Sequence, residues 1–208
     1  PRVVVVGAGV AGLTAARSLA PSCDVVVVDK GRGVGGRLAT RRIGDATFDH
    51  GAQFFTTHTT EFADVVAGWE RAGVARPWCR GRVGPAGIVD PDGHTRFRGV
   101  ATMNAIAKHL AEGLDVRVST RVRALRESDT GWRIQLEDAT DLVADAVVLT
   151  APVPQTRDLL TAGEVGLSSV DARALEAIRY EPCLAVLAAL DGESGLDGPG
   201  AVDPSDGP

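Results

Sequence analysis

The chain has 208 residues, a net charge of −5, 44% hydrophobic residues and only three cysteines. That length allows one large domain, or one domain with part of a second, and needs no disulfide or metal staple to support a core. Net negative charge argues against nucleic acid or an anionic membrane as a bulk partner. No apolar run is long enough to cross a bilayer; no signal segment is expected before the first apolar run, and a first residue of Pro rather than Met reads as a trimmed N-terminus.

The first element is a strand over 2–6, followed by a helix over about 11–20 with Leu13, Ala16 and Ala20 on one face. A second strand follows over 25–29. Both strands are near-continuous valine, without polar alternation, which fits a parallel sheet covered on both faces. Between them stands Gly7-x-Gly9-x-x-Gly12, and Asp29 ends the second strand. This is the dinucleotide fingerprint in its strand–turn–helix context. Gly7 permits the tight turn, Gly9 lets backbone approach a pyrophosphate, and Gly12 lets helix lie close on strand. The N–H groups at the helix start face the phosphates, and Asp29 is placed to accept from a ribose.

A glycine-rich loop follows, Lys30-Gly31-Arg32-Gly33-Val34-Gly35-Gly36-Arg37. Gly35-Gly36 admits a ligand close to backbone, and Arg37 offers a planar fork for phosphate. The cluster Arg32, Arg37, Arg41 and Arg42 is expected to contribute at least one phosphate contact. A plain NAD-binding unit has no need of this second loop; a longer dinucleotide does.

Further along, a helix over about 59–72 carries Phe62, Val65, Val66 and Trp69 at helical spacing. Residues 76–98, rich in Pro and Gly, read as short strands and turns. A helix over about 101–112 turns Met103, Ile106, Ala107 and Leu110 to one side. Strands are expected at 115–119, 121–127, 131–137, 140–144 and 146–150, the middle three as an antiparallel meander turning at Glu137-Asp138-Ala139. Short helices follow over 155–161 and 169–179, the latter with a capping box from Ser168 and Asp171. Cys183–Leu190 reads as an apolar strand, and the last residues have no period. They read either as a disordered tail or as a chain cut where a second sheet begins; the need of an apolar strand for partners favours the second. Cys23, Cys79 and Cys183 show no metal or disulfide spacing and read as buried free thiols in a reducing, cytoplasmic setting. No metal site is expected. His58, His94 and His109 read as surface or helix residues, His50 as a loop residue or cofactor partner, Trp69 and Trp78 as core, and Arg96 and Arg98 as a solvated face.

The succession Gly7-x-Gly9-x-x-Gly12, Asp29-Lys30 and Gly35-Gly36-Arg37 resembles the amine-oxidase-type flavoprotein superfamily. Gly36-Arg37-Leu38-Ala39-Thr40-Arg41-Arg42 and Phe48-Asp49-His50-Gly51-Ala52-Gln53-Phe54-Phe55-Thr56 narrow the likeness to the renalase-like family. Arg98-Gly99, Met103 to Leu110 and Thr150-Ala151-Pro152-Val153-Pro154-Gln155 resemble later segments of it.

The resemblance implies non-covalent FAD, lined by Ala11, Asp29, Lys30, Gly36, Arg37, Gly51, Ala52 and Gln53, with the backbone of Val122 at the adenine. It places Gly51-Ala52-Gln53 beside the reactive ring edge. The implied architecture is α/β, a Rossmann-like FAD-binding domain with parallel sheet and β-meander (1–75 and 98–152) plus part of an inserted α+β substrate domain (76–97 and 153–208). The implied activity is hydride transfer from an isomeric dihydro-NAD(P) to flavin, then to oxygen, giving peroxide. The alternatives are an amine oxidase or desaturase on another small-molecule substrate, and a non-catalytic FAD-binding fragment. The family's chain runs on past the equivalent of residue 208, so catalytic residues are not assigned, and nothing in the sequence specifies the oligomeric state.

Overall fold

The structure is a computed structural model and describes residues 1–83 and 89–192. In chain order the elements are β1 (Arg2–Val6), α1 (Val10–Leu19), β2 (Asp24–Val28), β3 (Thr40–Ile43), β4 (Ala46–Asp49), α2 (Thr60–Arg71), β5 (Ala75–Val83), β6 (Val89–Gly99) and α3 (Asn104–Ala111). There follow β7 (Asp115–Arg117), β8 (Val122–Ser128), β9 (Gly131–Leu136), β10 (Asp141–Ala144), β11 (Ala146–Leu149), α4 (Val153–Ala162) and α5 (Ser169–Ala177). The chain divides into two compact units, Pro1–Arg37 with Ala107–Leu184, and Leu38–Ile106 with the residues from Ala185.

The first unit is built on a parallel sheet in the order β11-β1-β2-β7. Val3–Val6 pair in register with Val25–Val28 on one side and with Ala146–Leu149 on the other. Alternation sends Val4, Val6, Val26 and Val28 to one face, where they form a single core with Val122, Leu125, Ile134 and Leu136 of the meander and Leu160 of α4. Val3, Val5, Val25 and Val27 are buried on the other face, and α1 buries Leu13 and Ala16. Burial on both faces is the physical reason the valine runs show no polar alternation. The meander β10-β9-β8 is antiparallel as expected, and Ala139 takes a positive φ of 66° in its turn. Beside β2, Arg117 donates to Asp115 at 2.8 Å, and this bond holds the Asp115 carboxyl below its ordinary range.

The second unit holds the β3–β4 hairpin, α2 capped by the Thr59 side chain, and the long antiparallel pair β5–β6, interrupted by two register shifts. Phe55 sits at the centre of an aromatic group, stacked on Phe97 at 5.8 Å and touching Phe62 and Trp69 at 5.9 Å.

Several expectations need correction. Cys183–Leu190 is not a strand; Leu184 and Val186 are over nine-tenths exposed. An apolar run becomes a strand only when its N–H and C=O groups find a ladder, and none pairs with it among the described residues. Residues 193–208, on which the expectation of a patternless or cut tail falls, lie outside the described residues. Ala20 is an exposed C-cap rather than a core residue, and of the α2 stripe only Val66 and Trp69 are buried. None of the cysteines is buried: Cys23 and Cys79 are half-buried and Cys183 is exposed, because they sit in a turn, on a two-stranded ribbon and in an extended segment. Arg96 is no solvated residue. It is buried at 5% exposure, with its guanidinium 5.3 Å from the centre of the Phe54 ring, where the aromatic face offsets part of its desolvation.

Candidate functional site

β1 ends at Val6 and the chain turns at Gly7, whose φ is +114° and whose N–H donates to the Val28 carbonyl at 2.8 Å. Gly9 then caps α1 with no side-chain hydrogen bond, and no acidic residue stands in the first turn. The first helical bond is Leu13 N–H to the Gly9 carbonyl at 2.9 Å. The N–H groups of Val10, Ala11 and Gly12 therefore belong to a helix start with no side-chain cap, carrying the partial positive charge of the helix dipole.

The three glycines do different work. A Cβ at Gly12 would lie 1.9 Å from the Gly7 carbonyl oxygen, and one at Gly7 would lie 2.5 Å from Thr150 Oγ1. Both are demanded by the protein's own packing. A Cβ at Gly9 would meet nothing within 4 Å, and its backbone is ordinary extended chain. The protein's own packing places no demand for glycine there.

The second glycine loop lies against the first. Gly35 N–H donates to the Ala8 carbonyl at 2.8 Å, and Gly9 and Gly35 form a parallel bridge. Gly36 has a φ of +54°, and a Cβ there would sit 3.3 Å from Gly9 Cα. Asp29 joins the two loops: one carboxylate oxygen accepts from Ala8 N–H at 2.7 Å, the other from Gly31 N–H at 2.6 Å. Its own N–H donates to the Arg117 carbonyl and its carbonyl accepts from Thr120 N–H, which fixes the carboxylate from below. A carboxylate has about four acceptor positions, so each oxygen keeps one for a ligand hydroxyl.

Lys30 Nζ donates to Gln155 Oε1 at 2.8 Å, tying the second loop to α4. Arg37 is exposed, and its guanidinium has no hydrogen bond or ion pair among the described residues. Val122 opens β8 with its side chain buried in the core. Gly51, Ala52 and Gln53 belong to the second unit, in the irregular stretch between β4 and Phe55. Two contributors stand in the Thr150–Gln155 stretch that the sequence reading quoted for its likeness without assigning either a role. Thr150 Oγ1 donates to the Val6 carbonyl at 3.0 Å and fills the space against Gly7 and Gly12, and Gln155 anchors Lys30. The available signal was their place directly after β11, the strand beside β1.

Three features converge at Gly9: an uncapped helix start, open space over bare backbone, and a neighbouring loop ending in an unengaged arginine. They suit an extended dianion, and the pyrophosphate of a dinucleotide has that charge and shape. Among the described residues no cluster of His, Cys, Asp and Glu could hold a metal, and no helix is long and apolar enough to cross a membrane.

Comparison with known proteins agrees. The family described as NAD(P)-binding Rossmann-like domain matches residues 5–69, and the family described as flavin containing amine oxidoreductase matches residues 69–204. Among solved structures, a putrescine oxidase mutant with redesigned cofactor binding superposes with a TM-score of 0.66 at 14% identity, over 85% of this chain and 64% of that one. A candidate protoporphyrinogen oxidase from Exiguobacterium sp. 255-15 gives 0.57 at 15% identity, over 77% of this chain and 61% of that one. A fatty acid isomerase of P. acnes that produces CLA gives 0.59 at 13%, over 76% and 60%. The chain thus spans less than two thirds of the length of these structures, and at such identity they show a shared α/β fold. Matched over well more than half its length, the chain belongs to the flavin containing amine oxidoreductase family, with FAD as its cofactor.

Proposed function

We propose that this chain is the cofactor-holding part of an FAD-dependent oxidase in which a reduced nicotinamide-type molecule, an isomeric dihydro-NAD(P), gives hydride to flavin and oxygen takes the electrons as hydrogen peroxide. The observation that carries the cofactor part is the Gly9–Gly35 bridge beside open space at Gly9. Bound FAD supplies a two-electron acceptor for hydride from a substrate carbon and a donor to oxygen.

The chain's own residues bind and orient. Gly7, Gly9, Ala11 and Gly12 present backbone N–H groups and the helix dipole to the pyrophosphate. Arg37 takes a phosphate through its planar fork. Asp29 spends one lone pair of each oxygen on the loops and offers the others to the ribose. Lys30 ties the second loop to Gln155 of α4, and Gly36 lets that loop lie close on the first. The backbone of Val122 meets the adenine, and Gly51, Ala52 and Gln53 set backbone N–H groups where negative charge develops on reduction. Residues 1–75 and 98–152 form the FAD-binding domain in this reading, and 76–97 and 153–208 belong to the substrate domain. This reading places the chain in a reducing, cytoplasmic setting, where an exposed thiol such as Cys183 stays free.

The dihydro-NAD(P) assignment rests on the renalase-like motifs around Gly36–Arg42 and Phe48–Thr56. A second reading, oxidation of an amine, is favoured by the family match over residues 69–204 and by the fold shared with putrescine oxidase. Anaerobic mixing of the full, FAD-loaded protein with 2- and 6-dihydro-NAD(P) decides: bleaching of the flavin band is expected. If neither isomer bleaches it and an amine does, with peroxide released in air, the second reading holds. A yellow protein inert to both classes would be a binding fragment. A heat-released nucleotide with the mass of NAD would overturn the cofactor assignment.

A further inference from the structure

We infer that Asp49 is a positioning residue that holds the Gly51-Ala52-Gln53 loop taut; the role assigned to the loop rests on the flavin reading above. Residues 50–54 carry no regular structure, yet both ends of this short stretch are pinned to one piece of chain. At the far end, Phe55 and Phe97 exchange two backbone hydrogen bonds, of 3.0 and 2.8 Å. At the near end, Asp49 closes β4. One carboxylate oxygen accepts from Thr40 Oγ1 at 2.5 Å, and the other accepts from the Met103 N–H at 3.0 Å.

The anchor between Phe97 and Met103 cannot give way. A Cβ at Gly99 would fall 1.9 Å from the Thr102 carbonyl oxygen, so the backbone there is folded tightly on itself. Gly99 N–H points to Met103 Sδ at 3.3 Å, and Met103 is fully buried. The loop is therefore a strap hung between Phe97 and Met103. A forked side chain with two polar atoms holds Thr40 on its own hairpin and Met103 across the unit together.

Besides the strand pairing of Asp49 with Thr40 in the hairpin, no other side chain fastens the near end among the described residues. His50 is exposed and Gly51 adds no side chain, so Asp49 is the last fixed point before the glycine. A small-residue loop is useful beside a reacting ring only if its backbone N–H groups are held still. The strap supplies that stillness from outside Gly51 and Ala52, whose own side chains are absent or small.

The test uses the full protein loaded with FAD and three variants. Asp49→Ala removes both bonds. Asp49→Asn keeps both, with its carbonyl accepting from Met103 and its amide donating to Thr40 Oγ1. Thr40→Val removes one bond and guards against a misfolded alanine variant. Backbone ¹⁵N order parameters at residues 51–54 should fall from about 0.85 to about 0.6 or below in Asp49→Ala, less in Thr40→Val, and return toward wild type in Asp49→Asn, and exchange of the hydrogen-bonded Met103 amide should quicken about tenfold or more in Asp49→Ala. The absorbance band shape of bound flavin and the anaerobic reduction rate at saturating substrate should change in the same order, with KM little moved. A merely structural role would lower Tm and leave band shape and saturating rate alone.

Unchanged order parameters at 51–54 in Asp49→Ala would overturn the strap. Lower order parameters with an unaltered flavin band would overturn the loop's place at the ring. A wild-type protein that takes up no FAD would instead sink the flavin reading and, with it, the role of the loop, while the order parameters still report on the brace.

Discussion

Gly9→Ala and Gly12→Ala separate what the glycine fingerprint does for the fold from what it does for the ligand. At Gly12 the added Cβ would stand 1.9 Å from the Gly7 carbonyl oxygen. That oxygen cannot retreat, because Gly7 is bonded to Val28 and lies against Thr150. Overpacking of this kind costs about 1–3 kcal/mol, and contact with fixed backbone puts it at the upper end. Alanine's better helix propensity returns about 1 kcal/mol, leaving a loss of about 2 kcal/mol. For a chain of this size that lowers Tm by about 4–8 °C.

At Gly9 the Cβ meets nothing within 4 Å, and the backbone angles suit any residue. Alanine is a poorer cap than glycine by about 0.5 kcal/mol, and a less flexible unfolded chain returns about the same. Tm should stay within about 2 °C of wild type. FAD affinity should fall about tenfold or more, a loss of about 1.4 kcal/mol, because the methyl group occupies the room a pyrophosphate needs. Thermal unfolding of the apoprotein and quenching of FAD fluorescence on titration measure the two effects. Wild-type FAD affinity in Gly9→Ala, or a Tm loss equal to that of Gly12→Ala, would refute the division of labour between these glycines.

The remaining predictions concern charge. Arg37→Ala should leave apoprotein stability within about 0.5 kcal/mol, since the side chain is exposed, and weaken FAD by about 1.5–3 kcal/mol in a salt-dependent way; lysine should recover only part, having no planar fork. Asp29→Asn should destabilise the apoprotein by about 1–3 kcal/mol, because one of the two N–H groups on this side chain, Ala8 or Gly31, would then face an amide donor; an apoprotein Tm equal to wild type would refute the loop-joining role. Asp115 is held below its ordinary range by the hydrogen bond from Arg117, so its contribution is present above that range and is lost as pH falls through the lowered value. Both partners are nearly half exposed, so Asp115→Asn should cost a few tenths of a kcal/mol at neutral pH. That difference should shrink as pH falls below about 4 and vanish only beneath the lowered value, in thermal unfolding across pH.

How much of this molecule is legible in its sequence follows from which interactions leave a local mark. The valine runs of β1 and β2 announce a sheet buried on both faces, and Ile134 and Leu136 announce a meander buried on one. The β3–β4 hairpin is invisible by the same logic: Arg41, Arg42 and Ile43 are all exposed, so nothing alternates. Cys183–Leu190 misleads for a related reason, since apolar composition reports a wish for burial and a strand is a property of a pair.

The site divides in the same way. Glycine positions are readable because their demands fall on neighbours a few residues off, as Gly12 does on the Gly7 carbonyl. Side-chain bonds that cross the fold leave no such trace. Thr150 reaches Val6 over 144 positions, and Asp49 reaches Met103 over 54. Asp29 is the instructive middle case. Its position marks it from sequence as a ribose acceptor, but the bonds it makes within the chain are to Ala8 and Gly31. A residue that braces both walls of a cradle and faces its contents can be recognised by the second duty while the first stays hidden. Its substitution will therefore move stability and cofactor affinity together, whereas Gly9→Ala and Arg37→Ala will move affinity alone.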